Sequence, residues 1–162
     1  FDRLQAEIAV AEQWFEVGSM LVSTESTIRY VSERRQFGKR LADFQTVQTA
    51  VAEMAVACEE AKASATLAAL ALDAATSDAQ IRRAFAGGQL RLGRLCEQVA
   101  SSAVQLHGGM GVSEELPIAA HYRQSIAFRS RNATAQSARK IMADAVIASG
   151  QFATSAIMGE FE

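Results

Sequence analysis

Proline is almost absent: Pro117 is the single one in 162 residues. With so few breakers and much alanine, long helices meet little opposition, because alanine loses no side-chain entropy on entering a helix. Cysteine is scarce too. Cys58 and Cys96 are too few for a disulfide framework, and both sit among apolar residues, so they read as buried free thiols. Charge of one sign is also missing: 16 Lys and Arg stand against 18 Asp and Glu, a formal net charge of −2. That excludes a global basic field for nucleic acid or an acidic membrane surface. No apolar run is long enough to span a bilayer, and no signal peptide is visible. A reducing, cytoplasmic setting is the expectation. What is present is a chain 49% apolar, enough for a packed core. It starts at Phe1 inside an amphipathic pattern, as a fragment of a longer protein would.

The periodicity predicts four long helices and one short one. The first runs from about Asp2 to Ser32, with Leu4, Ile8, Ala11, Phe15, Gly18 and Val22 as its apolar stripe. The second starts near Asp43, a good N-cap residue, and ends near Ala75; its stripe is Val47, Val51, Met54, Cys58, Ala61 and Ala65. The third carries Ile81, Phe85, Gly88, Leu92, Leu95, Val99, Ser102 and Leu106 at alternating steps of four and three. Gly87 and Gly88 inside it imply close approach of a neighbouring helix, since each costs about 1 kcal/mol relative to alanine. Gly108 and Gly109 end it. Pro117 opens a short helix to about Ala127, and 128–132 reads as loop. Thr134 caps a last helix to about Ser149, with Ala138, Ile141, Ala145 and Ala148 on one face. No strand pattern competes. The expected fold is all-α: an antiparallel four-helix-bundle-like domain over residues 1–150 with one additional short helix, and a tail over 151–162.

Several motifs lead nowhere. Ser137 and Lys140 match a short Ser-x-x-Lys pattern that chance supplies often. His107 and His121 lack metal-ligand spacing, so no metal site is expected. His107 reads as a dipole-compatible cap of the third helix, and His121 as an exposed or partly packed residue of the short one. Gly108 to Gly111 follows a helix rather than a strand and is no dinucleotide fingerprint. Two loops are chemically distinctive. In the first, Arg34, Arg35, Lys39 and Arg40 flank Phe37, with Phe44-Gln45 following. Guanidinium groups offer forked donors to phosphate oxygens, and a phenyl ring offers a stacking face to a purine. The same residues equally suit a solvated helix end complementing the dipole. In the second, Gln105-Leu-His-Gly-Gly-Met-Gly111, the glycines let backbone N–H groups approach a ligand, or simply stop a helix.

Taken in order, these segments resemble the C-terminal domain of acyl-CoA dehydrogenases. Tyr30, Glu33-Arg34, Gln36-Phe37-Gly38-Lys39, Phe44-Gln45 and Ala52-Glu53-Met54 are similar to that family's Y-x-x-x-R-x-x-F-G, F-Q and L-A-D/E-M run. Gln105 to Gly111 is similar to its Q-x-x-G-G-x-G loop, and Pro117, Arg123 and Thr134-Ala135-Gln136 continue the pattern without a gap. The resemblance spans about Leu4 to Ala148. It implies a helical bundle in a tetramer, a dimer of dimers, with FAD at a subunit interface. Arg34 would meet the FAD pyrophosphate and Phe37 would pack on the adenine end. Gln45, Gln105, Gly108 and Gly109 would line the adenosine-diphosphate part, all for the flavin of the neighbouring subunit. Thr134 and Gln136 would touch the flavin of their own subunit. Further domains would carry most acyl-CoA contacts, and an electron-accepting flavoprotein or similar protein would take the electrons.

One departure bears on catalysis. Counting from Gly111 to Thr134, the family's usual glutamate base falls on Asn132, and an amide cannot take a proton at neutral pH. A second lineage places the base on the first helix, at about Ile8 here, which cannot act; Glu7 is adjacent but turned by roughly 100°. Ala133 replaces the usual glycine, and Gln124 the usual aspartate after Arg123. The expectation is an FAD-dependent oxidoreductase subunit of this family, lacking its usual base and working in a heteromer. The alternatives are a homotetramer with a relocated base, or a degenerate structural module without catalysis.

Overall fold

The computed structural model describes residues 3–131 and 135–149. Three long helices, α1 (Arg3–Glu33), α2 (Gln45–Asp73) and α3 (Asp78–His107), are followed by two of 15 residues each, α4 (Pro117–Arg131) and α5 (Ala135–Ser149). The expected N-cap Thr134 and tail 151–162 lie outside the described residues. Ala6 at the start of α1 clusters with Leu72 at the end of α2 and Ile81 at the start of α3. At the other end, Tyr30 of α1 meets His107 of α3. So α1 and α3 run parallel, with α2 antiparallel between them. Helix α3 packs against each of the other four.

The stripes expected on α2 and α3 face the core. Met54, Cys58, Ala61 and Ala65 of α2 and Leu92, Leu95, Cys96 and Val99 of α3 form one cluster with Met20, Ile118 and Phe128. Leu92 and Val99 are fully buried, each worth about 1.5–3 kcal/mol relative to exposure. Both cysteines are free and buried, as expected. Gly88 marks a close approach: a Cβ there would lie 2.7 Å from Gln13 Oε1.

Helix α1 differs from the sequence expectation. Its stripe of Leu4, Ile8, Phe15 and Val22 is exposed, Phe15 by 67%. The buried face is instead Ala6, Ala9, Gln13, Glu16, Val17, Met20, Ser23, Thr24, Thr27 and Val31. The buried face mixes Ala6, Ala9, Val17, Met20 and Val31 with the polar Gln13, Glu16, Ser23, Thr24 and Thr27, so apolar periodicity alone points to the other face.

Three further expectations change. The N-cap of α2 is Phe44, which makes no side-chain cap hydrogen bond. Asp43 instead accepts from Arg40 N at 3.0 Å and Arg40 Nη2 at 2.8 Å, closing the short 3-10 turn Leu41–Asp43. Its hydrogen bond to the Arg40 guanidinium holds the exposed carboxylate below its ordinary pKa. Second, Phe128 is in the core rather than in a loop, and Arg129 pairs with Glu97 of α3, so α4 continues through 128–131. Third, a two-stranded antiparallel hairpin is present, β1 (Arg35–Gln36) paired with β2 (Lys39–Arg40).

Candidate functional site

The hairpin builds the first half of the site. Phe37 and Gly38 are its two turn residues, with φ of 53° and 81°. Positive φ at both positions matches the twist of paired strands. It is ordinary for glycine but strained for phenylalanine, and such strain persists where the surroundings over-determine it. The phenyl ring gains little burial in return, being 91% exposed. It stands edge-on to Phe44, centroids 6.5 Å apart, and Lys39 Nζ sits 4.0 Å from the centre of the Phe44 ring. Arg34 lies at the root of the hairpin, where its carbonyl accepts from Leu41 N at 2.8 Å. Gln45 follows as the exposed first residue of α2.

The second half is the end of α3. Gly108 takes φ of 57°, which stops the helix, and Gly108–Val112 forms a 3-10 turn. Gln105, Gly108 and Gly109 are exposed on it. A groove of about 360 Å³ runs beside this turn, with Gln105, Tyr122 and Arg123 on its wall.

Tyr30 and His107 join the halves. Their rings stack 4.3 Å apart at 24°, and the tyrosine hydroxyl donates to the His107 carbonyl at 3.4 Å. His107 is buried, and its Nδ1 lies 2.8 Å from the Ala103 carbonyl. A carbonyl only accepts, so Nδ1 carries the proton there. The ring thus bonds a carbonyl one turn back inside α3 and also supports Tyr30, while Gly108 is the C-cap of the helix. Arg34, Phe37 and Gln45 therefore share one end of the bundle with Gln105, Gly108 and Gly109.

The rest of the expected site is not assembled among the described residues. Asn132, Ala133 and Thr134 lie outside them, as does the side chain of Gln136. Ile8 is half-exposed and supplies no base. The neighbouring carboxylate, Glu7, pairs with Arg3 at 3.1 Å. Among the described residues no group of His, Cys, Asp and Glu could hold a metal ion. A larger groove, about 470 Å³, follows α2 and α3, but alanines, Leu67 and glycines line most of it.

Sequence reasoning missed a polar seam between α1 and α4. Gln124 Nε2 donates to Glu16 Oε1 at 3.0 Å and to Ser19 Oγ at 3.1 Å, and Ser23 Oγ lies 2.7 Å from His121 Nδ1. The signal was the spacing of Glu16, Ser19 and Ser23, three and four apart on the less apolar face of α1.

Residues 9–147 match the family described as acyl-CoA dehydrogenase, C-terminal domain. Among curated proteins, the chain is similar to the caffeyl-CoA reductase-Etf complex subunit CarC of Acetobacterium woodii. The two are 33% identical over 132 residues, 80% of this chain and 33% of that protein. Among solved structures, it resembles an acyl-CoA dehydrogenase from Geobacillus kaustophilus at 26% identity and a TM-score of 0.77, covering 87% of this chain and 36% of that one. A likeness of fold extends to PigA with FAD and proline, with 23% identity, a TM-score of 0.78, and coverage of 87% and 36%. The chain spans about a third of the length of these proteins.

Proposed function

The chain belongs to the acyl-CoA dehydrogenase family, and from that premise we propose that it is the helical domain of an FAD-dependent acyl-CoA oxidoreductase subunit that lacks the family's usual base. One observation carries the flavin part: the Tyr30–His107 stack brings two loops, 77 residues apart in sequence at that contact, to one end of the bundle. Their donors suit a dinucleotide. Arg34 offers a guanidinium to a pyrophosphate, Phe37 an exposed face to a purine, and Gln45 and Gln105 offer amides to ribose and phosphate oxygens. Gly108 and Gly109 leave their backbone open to close approach. Thr134 and Gln136 complete the set by resemblance, toward the flavin of their own subunit.

FAD, when bound, supplies the hydride-accepting ring. The chain's own part is binding, orientation and assembly of the oligomer. For the proton α to the thioester, a positioned base is worth ~10²–10⁴-fold in rate. Asn132 stands where that carboxylate is usual, Ile8 cannot replace it, and Glu7 is engaged with Arg3. The base then comes from a second, base-bearing subunit, and electrons leave to an electron-transfer flavoprotein. CarC, by its name, belongs to a complex with such a protein. No described helix is long and apolar enough to cross a membrane, and the proposed setting is the cytoplasm.

Arg34→Ala in the native polypeptide, expressed with its partner, tests the flavin assignment. Flavin-poor protein of normal assembly is expected; unchanged flavin content and affinity would refute it. The silent-subunit reading has its own test, which is substrate-dependent flavin reduction by the polypeptide purified alone. Rapid reduction unaffected by Asn132→Ala would overturn it.

A further inference from the structure

Helix α2 carries a second stripe, on the side away from the core. Glu53, Val56, Glu60, Ala63, Leu67 and Leu70 stand three and four apart and are all exposed. That spacing puts them on one side of the helix. Val56, Leu67 and Leu70 are 59%, 66% and 58% exposed. Three grooves of about 370, 470 and 560 Å³ follow this side between α2 and α3, and they meet at Glu60. Alanines form much of their floor. Ala52 and Ala57 share one groove with Val56, and Ala63, Ala68 and Ala71 share another with Leu67.

We infer that this face is covered by the same face of a second copy of the chain, with the two α2 helices packed antiparallel. A two-fold interface uses one patch on both partners, so the patch must fit itself after half a turn. Half a turn about a point between Glu60 and Ala63 sets Val56 opposite the copy's Leu67, and Leu67 opposite the copy's Val56. Each large side chain then stands over the other copy's alanines, as interdigitating helix surfaces require. Charge agrees with this at the centre of the face. Arg91 Nη2 lies 3.1 Å from Glu60 Oε2. Half a turn reverses that ion pair, so two of them meet head to tail, acid beside base. A face of one charge sign would repel itself.

Size agrees as well. From Thr49 to Ala71 the grooves run roughly 33 Å at 1.5 Å per residue. Two helices wide, at about 10 Å each, the face covers on the order of 650 Å² per copy, near the ~800 Å² per partner of a stable interface. The flavin reading calls for an oligomer but leaves this face unused. Its residues lie at one end of the bundle, whereas Glu60 and Arg91 lie midway along α2 and α3. The inference therefore stands on the face itself.

The test uses the native polypeptide with its partner subunit present. Leu67→Glu puts a carboxylate into the contact at an exposed position outside the core. Light scattering after gel filtration should show the assembly falling to half its mass. Adding Val56→Lys should restore it, because each new lysine then faces the copy's new glutamate. Within one chain the two positions are about 16 Å apart along the helix and cannot pair. Ala63→Cys, treated with a short bis-maleimide, should give a product of twice the chain's mass; Cys58 and Cys96 are buried and do not compete. Unchanged mass for Leu67→Glu, no recovery in the paired variant, or cross-linking to a different polypeptide would each overturn the inference. Should Leu67→Glu fail to fold, the cross-link at position 63 decides alone.

Discussion

Gly88→Ala sets two opposed effects against each other at the α1–α3 contact. Alanine in a helix interior is favoured over glycine by about 1 kcal/mol. The added Cβ, however, would lie 2.7 Å from Gln13 Oε1, 2.8 Å from Nε2 and 3.0 Å from Cδ. The end of a flexible side chain usually yields, but Gln13 is fully buried. Its Nε2 and Oε1 meet no hydrogen-bond partner among the described residues, so no bond holds the amide in place, but its burial leaves it little room to move. Overpacking of this kind costs about 1–3 kcal/mol. The net expectation is a loss of about 0–2 kcal/mol. In a Gln13→Ala background the obstruction is gone, and the same change should stabilise by about 1 kcal/mol. The coupling between the sites is then about 1–3 kcal/mol, within the range for touching residues. Urea denaturation of the four proteins, followed by far-UV circular dichroism, measures the cycle. A Gly88→Ala variant as stabilised with Gln13 present as without it would refute the close approach.

Two other outcomes follow from burial. Leu92→Ala should cost about 2–5 kcal/mol, because the side chain is fully buried in the central cluster; a loss below about 1 kcal/mol in the same denaturation assay would remove Leu92 from the core. Cys58 and Cys96 should resist a thiol reagent in the folded state at pH 8 and react on denaturation, since burial raises both pKa values and the thiolate is the nucleophile. Rapid native-state labelling of either would contradict that burial.

The helices were legible where one face alone is apolar. On α3 the residues between the stripe positions include Arg82, Arg83, Arg91, Arg94 and Glu97, so only one face could be the core. On α1 the choice was open, and the larger side chains pointed to the wrong face. The tight residues at the true interface are Ala6, Ala9 and Val17, whose hydrophobicity is modest but whose size permits close packing. The hairpin was invisible for a different reason. Strands of two residues have no periodicity, and a phenylalanine at positive φ runs against local preference. The end of α4 was misread because Phe128 and the Arg129–Glu97 pair stabilise it from α3, a contact that no local pattern contains. Of the candidate site, the residue types and order were legible. The Tyr30–His107 stack that joins its halves was not, because it depends on α1 and α3 running parallel.

Gln124 shows how a departure from a family pattern can have a structural cause. Where the family resemblance leads one to expect aspartate after Arg123, this chain has an amide that donates to Glu16 Oε1 and Ser19 Oγ. Glu16 is 3% exposed. An aspartate at 124 would bring a second carboxylate against it, and two neighbouring carboxylates disfavour each other's ionisation. Gln124→Asp should therefore destabilise the domain at neutral pH. Loss of a hydrogen bond to a charged group alone costs about 1.5–3 kcal/mol, and repulsion adds to it. The loss should shrink as pH falls, because one carboxylate then takes up a proton. Combining Gln124→Asp with Glu16→Gln removes the second carboxylate and should recover the part of the loss that is due to repulsion. A double variant no more stable than Gln124→Asp alone would show that the two positions are not coupled. With the coupling in place, the amide at 124 is matched to the carboxylate at 16 and says nothing about the loss of a catalytic base. The case for a silent site then rests on Asn132, where the family resemblance leads one to expect the carboxylate that proton abstraction needs.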